Sequence, residues 1–320
     1  MELSVIIPVR NEAKNIPVLV SRIHHALDGV HPLSEYEIIF VTDLNDDDTV
    51  DVLVKESISD AHVKAIKLSN RFGQHVAIIA GLEKASGQQA VIMDGDLQDY
   101  PEDIPLLYQK MNEGYDIVYG VKEKKNDKKI RNLYSIAFNK VMSMLSDVTI
   151  AANSSMFRIL SRKAIDEVLR FKEREPSLTY IFSLINLPTS SVNVQSGIRN
   201  EGATNYSFMK LIDFAISSLV SFSRKPLRFI STLGLVVSCL SFLFVVIIFF
   251  QWAFAHITVT GWTTLVILIT FLSGIQLLSL GILGEYLGRT FMETKRRPLY
   301  TVEKTIGNFQ QSPADGNANE

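Results

Sequence analysis

From Phe229 to Gly284 the chain contains no Asp, Glu, Lys or Arg. No other feature limits the fold so strongly. A water-facing segment of that length would carry charge, whereas a helix crosses a bilayer with roughly 20 apolar residues. The stretch divides into Phe229 to about Phe254 and Trp262 to about Leu283, joined by HITVTG, which is too short for a folded domain. Two transmembrane helices in a hairpin are expected over residues 229–288. Arg224, Lys225 and Arg228 precede the first span, Arg289, Lys295, Arg296 and Arg297 follow the second, and the connecting loop has no Lys or Arg. The positive-inside rule then places both termini in the cytoplasm of a multi-pass protein. The run FLFVVIIFF is apolar all round, unlike the striped face of a helix buried in a soluble domain. Glu285 has Arg289 at helical spacing as an interfacial partner. Cys239, the single cysteine, cannot form an intrachain disulfide and is expected to be a packing residue.

Residues 206–228 place Phe208, Leu211, Ile212, Ala215, Leu219 and Phe222 at helical spacing before a basic end. This pattern suits amphipathic interfacial helices on the membrane surface, ended by Pro226. Residues 289–320 read as a cytoplasmic tail, disordered from about 310. MELSVIIPVRNE has no basic n-region, so no signal peptide is expected.

Residues 1–205 have a different organisation. SVIIPV, EIIFV, VKAIKL, AVIMD and DIVYGV read as strands, with helical periodicity over Asn15–Leu27, Thr49–Ser57, Gln74–Ala85 and Pro101–Glu113. Such alternation predicts an α/β domain, a Rossmann-like, mostly parallel wound sheet covered by helices. The composition, 47% hydrophobic with net charge -2, gives no sign of a nucleic-acid partner.

Ligands of such sheets bind beyond the carboxyl ends of the strands, where VIMDGDLQD falls. In extended chain Asp94, Asp96 and Gln98 share a face. Oxygen ligands without His or Cys suit a hard cation, Mg²⁺ or Mn²⁺, which would remove the repulsion and hold a diphosphate. A D-x-D match alone is weak; its place after an apolar strand strengthens it. Asp99 and Glu102, flanking Pro101, suit the start of a helix. In the second acidic cluster, Asp43 stands at a strand end and belongs in the site, while Asp46 to Asp48 suit a helix start. His24, His25, His62 and His75 show no catalytic spacing and read as surface or packing residues.

The segments IPVRNE, FGQHVAIIAGLEKASG, IMDGDLQD, GYDIVYGV, FRILSR, SFSRKPLR and LGEYLGRTFMETKRRPLY occur in order from about Leu3 to Val302. With them the chain resembles the family 2 glycosyltransferases of GT-A fold. More narrowly it resembles the polyprenyl-phosphate glycosyltransferases of the bactoprenol glucosyltransferase type, which are related to dolichol-phosphate mannose synthase. The resemblance implies a nucleotide-sugar donor, a UDP-sugar in the first instance, a polyprenyl phosphate acceptor such as undecaprenyl phosphate, and a homo-oligomer at the inner membrane. It implies inverting transfer of glucose or another hexose, giving a lipid-linked sugar for O-antigen or another surface glycan. By the same resemblance Pro8, Arg10 and Glu12 line the nucleotide pocket, and Val41 and Asp43 hold base and ribose. Asp94, Gly95 and Asp96 contact the sugar nucleotide, with Asp94, Asp96 and Gln98 around the metal. Lys122, Arg199 and Asn205 match positions contacting donor or acceptor phosphates, and Arg131 a position near the acceptor phosphate. Asp96, Arg199 and Arg131 are the residues expected to carry catalysis. The chain departs from the family's usual D-D-G-S at TDLN (42–45), from M-D-A-D at Gly95, from G-D-F-R at SMFR (155–158), and from a Lys at Asn205. Two rival readings are a non-catalytic membrane scaffold descended from such an enzyme and a processive polysaccharide synthase. The latter normally has more spans and a Q-x-x-R-W motif, which the chain lacks.

Overall fold

A computed structural model describes residues 1–28, 30, 35–122, 154–174, 176–195 and 261–309, with scattered positions from 227 to 250. The strands and helices run β1 (Leu3–Val9), α1 (Ile16–Leu27), β2 (Tyr36–Thr42), α2 (Thr49–Ser59), β3 (Val63–Leu68), α3 (Gln74–Lys84) and β4 (Gln89–Ile92). A 3-10 turn (Pro101–Asp103), α4 (Ile104–Met111), β5 (Ile117–Lys122), β6 (Ser154–Ser161), α5 (Arg162–Arg170), α6 (Leu178–Leu184) and β7 (Thr189–Val194) follow. The order ends with α7 (Trp262–Thr294) and β8 (Val302–Ile306).

All eight strands form one sheet in the order β7-β5-β6-β4-β1-β2-β3-β8. Its centre is parallel. β1 pairs with β2 from Leu3↔Tyr36 to Val9↔Thr42 and with β4 from Leu3↔Gln89 to Ile6↔Ile92. These strands are apolar on both faces because both faces are covered. Val5, Ile7 and Phe40 join Leu19 and Ile23 of α1 in one core; Ile6, Ile39 and Val41 join Ile78 and Leu82 of α3 in the other. Gly81 lets α3 lie close against the sheet, since a Cβ there would sit 2.4 Å from Ile6 Cγ2.

The five expected strands and four expected helical segments are all present, with the last segment divided into the 3-10 turn and α4. Three strands were not foreseen. β6 runs antiparallel between β4 and β5, β7 pairs parallel with β5, and β8 pairs antiparallel with β3. The segment after the apolar region thus returns to the sheet.

At the amino end of the strands a buried polar knot replaces apolar packing. Glu37 is fully buried; its carboxylate accepts from Ser4 Oγ at 2.6 Å and Ser86 Oγ at 2.7 Å, and pairs with Lys64 Nζ at 2.6 Å. Those bonds hold the Glu37 carboxyl below its usual range although burial pushes it up.

The chain divides into two compact units, one of residues 1–127, 150–203 and 297–320, the other of 128–149 and 204–296. In the second, α7 contains Phe271–Thr294, with mean hydropathy 1.3, long and apolar enough to cross a bilayer. It is the one such helix among the described residues. Glu285 pairs with Arg289 Nε at 3.2 Å, as the spacing predicts. The expected first span lies mostly outside the described residues; its described positions between 227 and 250 are helical. Cys239 is exposed, not packed, as are Leu235, Leu240 and Phe242. Most described apolar side chains around it are exposed, so the cysteine has no core to fill. The interfacial segment 206–226 and the tail beyond 309 lie outside the described residues.

Candidate active site

Where the parallel strands end, the loops after β1, β2 and β4 and the start of α3 enclose a cavity of about 320 Å³. Its lining includes Pro8, Arg10 and Glu12 after β1, Val41 and Asp43 after β2, and Asp94, Gly95 and Asp96 after β4. Eight residues predicted from sequence are therefore brought together. Arg71, Gly73, Gln74 and Ala77 line it too and were not predicted.

The acidic loop is held from beneath. Asp99, fully buried, accepts the Asp94 backbone N–H at 2.9 Å through one oxygen and faces Lys122 Nζ at 2.8 Å through the other. This corrects the helix-start reading of Asp99: Tyr100 occupies the cap position, and the carboxylate turns inward because the loop N–H and the ammonium are there. Glu102 is in the first turn as expected and is clamped by Arg22, with Nε and Nη2 at 2.8 and 2.6 Å from its two oxygens. Leu97 takes the left-handed conformation, φ 62°, uncommon for a residue with a Cβ and a recurrent feature of functional loops. It lets the chain reverse so that the Gln98 backbone N–H and side-chain amide both donate to Asp96, at 3.1 and 2.7 Å. Gln98 thus meets Asp96 through nitrogen and steadies that carboxylate. Gly95 is closely confined: a Cβ would lie 2.6 Å from Val9 Cγ1.

Burial pushes the Asp94 carboxyl up to about 6, aided by the charges of Asp99 and Asp96 and opposed by Lys122 and by Gln74, whose amide donates to Asp94 Oδ1 at 2.6 Å. Glu12 is raised as well, by burial and then by Asp96 and Asp47, against its bond from Asn15. A site that buries one carboxylate and crowds it with others is suited to a cation. Asp94 and Asp96, facing the cavity with oxygen alone, fit Mg²⁺ or Mn²⁺.

The TDLN segment carries its own bracing. Asn45 donates to Thr42 Oγ1 and the Asp43 carbonyl, both at 2.7 Å, and accepts the Asn11 backbone N–H at 2.9 Å. Asn11, at φ 57°, accepts in turn from the Asp46 N–H at 2.8 Å. Asp47 takes the Thr49 and Ala13 N–H groups at 3.1 and 3.2 Å. The acidic cluster therefore joins the β1 and β2 loops as well as starting α2. Arg10 lies 3.7 Å from the buried Asp43 and 3.8 Å from Asp46.

Behind the acids, Arg158 of β6 is fully buried between the rings of Tyr119 and Phe182, 4.9 and 4.3 Å from their centres. Burial lowers its pKa to about 10, with Tyr119 and Asp94 acting the other way. It lies in FRILSR, but no spacing announces its role. Gln74 lies within FGQHVA and Arg71 just before it, a segment whose helix-start chemistry appears only once α3 is placed. Arg131, Arg199 and Asn205 lie outside the described residues.

A mostly parallel sheet with an acidic loop at its carboxyl end is the GT-A arrangement, and residues 4–169 match the model of "Glycosyl transferase family 2". The chain belongs to that family and is a glycosyltransferase that takes its sugar from a nucleotide sugar. It is 34% identical over 308 residues to the glycosyltransferase YkcC of Bacillus subtilis, covering 96% of this chain and 95% of that one. It is 33% identical over 313 residues to the undecaprenyl-phosphate 4-deoxy-4-formamido-L-arabinose transferase of Pectobacterium atrosepticum, covering 95% and 93%. Among solved structures, the mannosyltransferase PcManGT of Pyrobaculum calidifontis, in complex with GDP-Man and Mn²⁺, aligns with TM-score 0.49 at 16% identity over 71% of this chain and 64% of that one.

Proposed function

We propose that the protein transfers a hexose from a nucleoside diphosphate sugar to a polyprenyl phosphate, such as undecaprenyl phosphate, at the cytoplasmic face of a membrane, with inversion and with Mg²⁺ or Mn²⁺. The observation that carries this reading is the Asp94–Asp96 pair at the end of β4, facing an open cavity with Asp94 raised to about 6. The acceptor is supported by a relative named as an undecaprenyl-phosphate sugar transferase and matched over nearly its whole length.

A bound divalent ion supplies positive charge to the leaving diphosphate. Asp94 and Asp96 hold it, Gln98 fixes Asp96, and Gln74 fixes Asp94. Arg10 and Arg71 offer the diphosphate further positive charge from the cavity wall. Asp43 and Val41 receive ribose and base. The acceptor phosphate is anionic at neutral pH, so the chain need not supply a strong base, and Met156 in place of an acid is compatible with turnover. Orientation of donor and acceptor supplies much of the rate. Lys122, Arg131, Arg199 and Asn205 are assigned to the phosphates of the two substrates.

Topology supports the two-span reading. β8 follows α7 in sequence yet pairs with β3 of the sheet that precedes it. A chain whose two flanks share one sheet crosses a bilayer an even number of times between them. With α7 as one crossing, Phe229 to about Phe254 is the segment whose composition suits the other.

Purified protein in detergent, incubated with undecaprenyl phosphate, Mg²⁺ and labelled UDP-glucose, UDP-galactose or other nucleotide sugars, tests the proposal. A lipid-linked, chloroform-soluble product is expected from one donor. No such product from any donor overturns it.

A further inference from the structure

At the opposite end of the sheet, about 20 Å down the strands from the acidic loop, two histidines converge on one carboxylate. His24 Nε2 lies 2.6 Å from Asp60 Oδ2, and His62 Nδ1 lies 2.9 Å from Asp60 Oδ1. The three ligand atoms fall within 4.8 Å of one another. We propose that His24, Asp60 and His62 bind a borderline divalent transition metal, Zn²⁺ in the first instance, at a site separate from the catalytic cation.

Two imidazoles and a carboxylate suit Zn²⁺ and disfavour Mg²⁺, which prefers oxygen. The ligands are positioned before any ion arrives. The His62 backbone N–H donates to Asp60 Oδ1 at 2.9 Å, and the His62 ring stacks on Tyr36 at 4.7 Å between centres, 21° from parallel. His24 Nδ1 meets the Tyr36 hydroxyl. This is the outer contact that a metal-bound imidazole normally makes: with Nδ1 protonated and donating to Tyr36 Oη, the Nε2 lone pair is left for the metal.

Across a tetrahedral ion with bonds of about 2.0–2.1 Å, ligand atoms stand roughly 3.3 Å apart. The two histidine–carboxylate separations, 2.6 and 2.9 Å, need open by only about half an ångström. His62 is 46% exposed, which gives an ion access and leaves a fourth position for water. Such an ion would tie the last turn of α1 to the end of α2 and the starts of β2 and β3. That role is structural and independent of the acidic loop.

The test uses full-length protein in detergent carrying Asp94→Asn and Asp96→Asn, so that the catalytic cation does not contribute, stripped by chelator and dialysed against micromolar Zn²⁺. One zinc per chain is expected by elemental analysis, and Co²⁺ in its place should give the intense visible absorption of a four-coordinate ion. His24→Gln and His62→Gln should each weaken Zn²⁺ binding more than ~10-fold, and Tyr36→Phe by about 10-fold. With the acidic loop intact, His62→Gln should keep its metal-free melting profile and Mg²⁺-supported turnover, which separates a lost ligand from a lost fold. No retained zinc, or zinc content indifferent to His62→Gln, overturns the proposal and leaves the cluster a hydrogen-bond network.

Discussion

Asp99 holds Asp94 by the backbone and opposes it by charge. Its carboxylate accepts the Asp94 N–H at 2.9 Å, and the same buried negative charge helps push the Asp94 carboxyl up to about 6. One side chain thus fixes where the ligand loop stands and increases its demand for a cation. Lys122, at 2.8 Å, faces the other Asp99 oxygen within the core.

Asp99→Asn should retain an acceptor for the Asp94 N–H but face Lys122 with a donor. A stability loss of about 2 kcal/mol is expected, read from urea unfolding, with weaker Mn²⁺ binding because Asp94 is then less crowded. Asp99→Ala should cost more, since the loop N–H also loses its partner.

Metal affinity should depend on acid. Below pH about 6 a proton competes for Asp94, so apparent Mn²⁺ affinity should fall about 10-fold per pH unit, measured by calorimetry between pH 5 and 7.5. Metal-free stability should move the opposite way. The folded-state pKa is raised from 3.8 to about 6, so the folded protein binds the extra proton between those values. The contribution is full below pH about 4 and is lost as pH rises through 6, roughly 3 kcal/mol in all. Mn²⁺ should restore that loss at neutral pH.

Asp96→Asn should lower turnover at least ~10²-fold with an unchanged circular dichroism spectrum. Gln98→Ala, which only releases the Asp96 carboxylate, should cost about 10-fold. Equal effects of the two would place Gln98 on the metal itself.

Lys64→Met leaves Glu37 buried without its cation, at a cost of about 3–5 kcal/mol, seen as a lowered melting temperature. Adding Glu37→Leu should recover much of it, because an apolar pair suits that position as well as a satisfied ion pair does.

The parallel half of the fold was legible because strands covered on both faces are apolar throughout, as SVIIPV and EIIFV are. β7 was not: TSSVNV at the sheet edge is largely polar and carries no period that marks it as a strand. β8, VEKTI, is exposed at four of five positions and reads as tail until its pairing with β3 is known. Of the eight foreseen cavity residues, Asp43, Asp94 and Asp96 were legible from strand ends and carboxylate spacing, which are written locally, whereas Pro8, Arg10, Glu12, Val41 and Gly95 rested on the family resemblance. Gln74, Arg71 and Arg158 were not foreseen, because their place depends on how α3 and β6 meet β4. The pairing of His24 with His62 was hidden for the same reason: they stand 38 positions apart, and only the joining of α1 to β3 brings them to Asp60.

A ribosome makes the apolar helix before it makes Val302–Ile306. The outer edge of β3 therefore waits, with unpaired amides, until α7 has emerged from the exit tunnel and β8 follows it. Closing that edge is the last step of the sheet's assembly, and a nascent chain stalled earlier offers a bare strand to any neighbour. The apolar helix and the completed sheet are thus made in a fixed order set by gene direction alone.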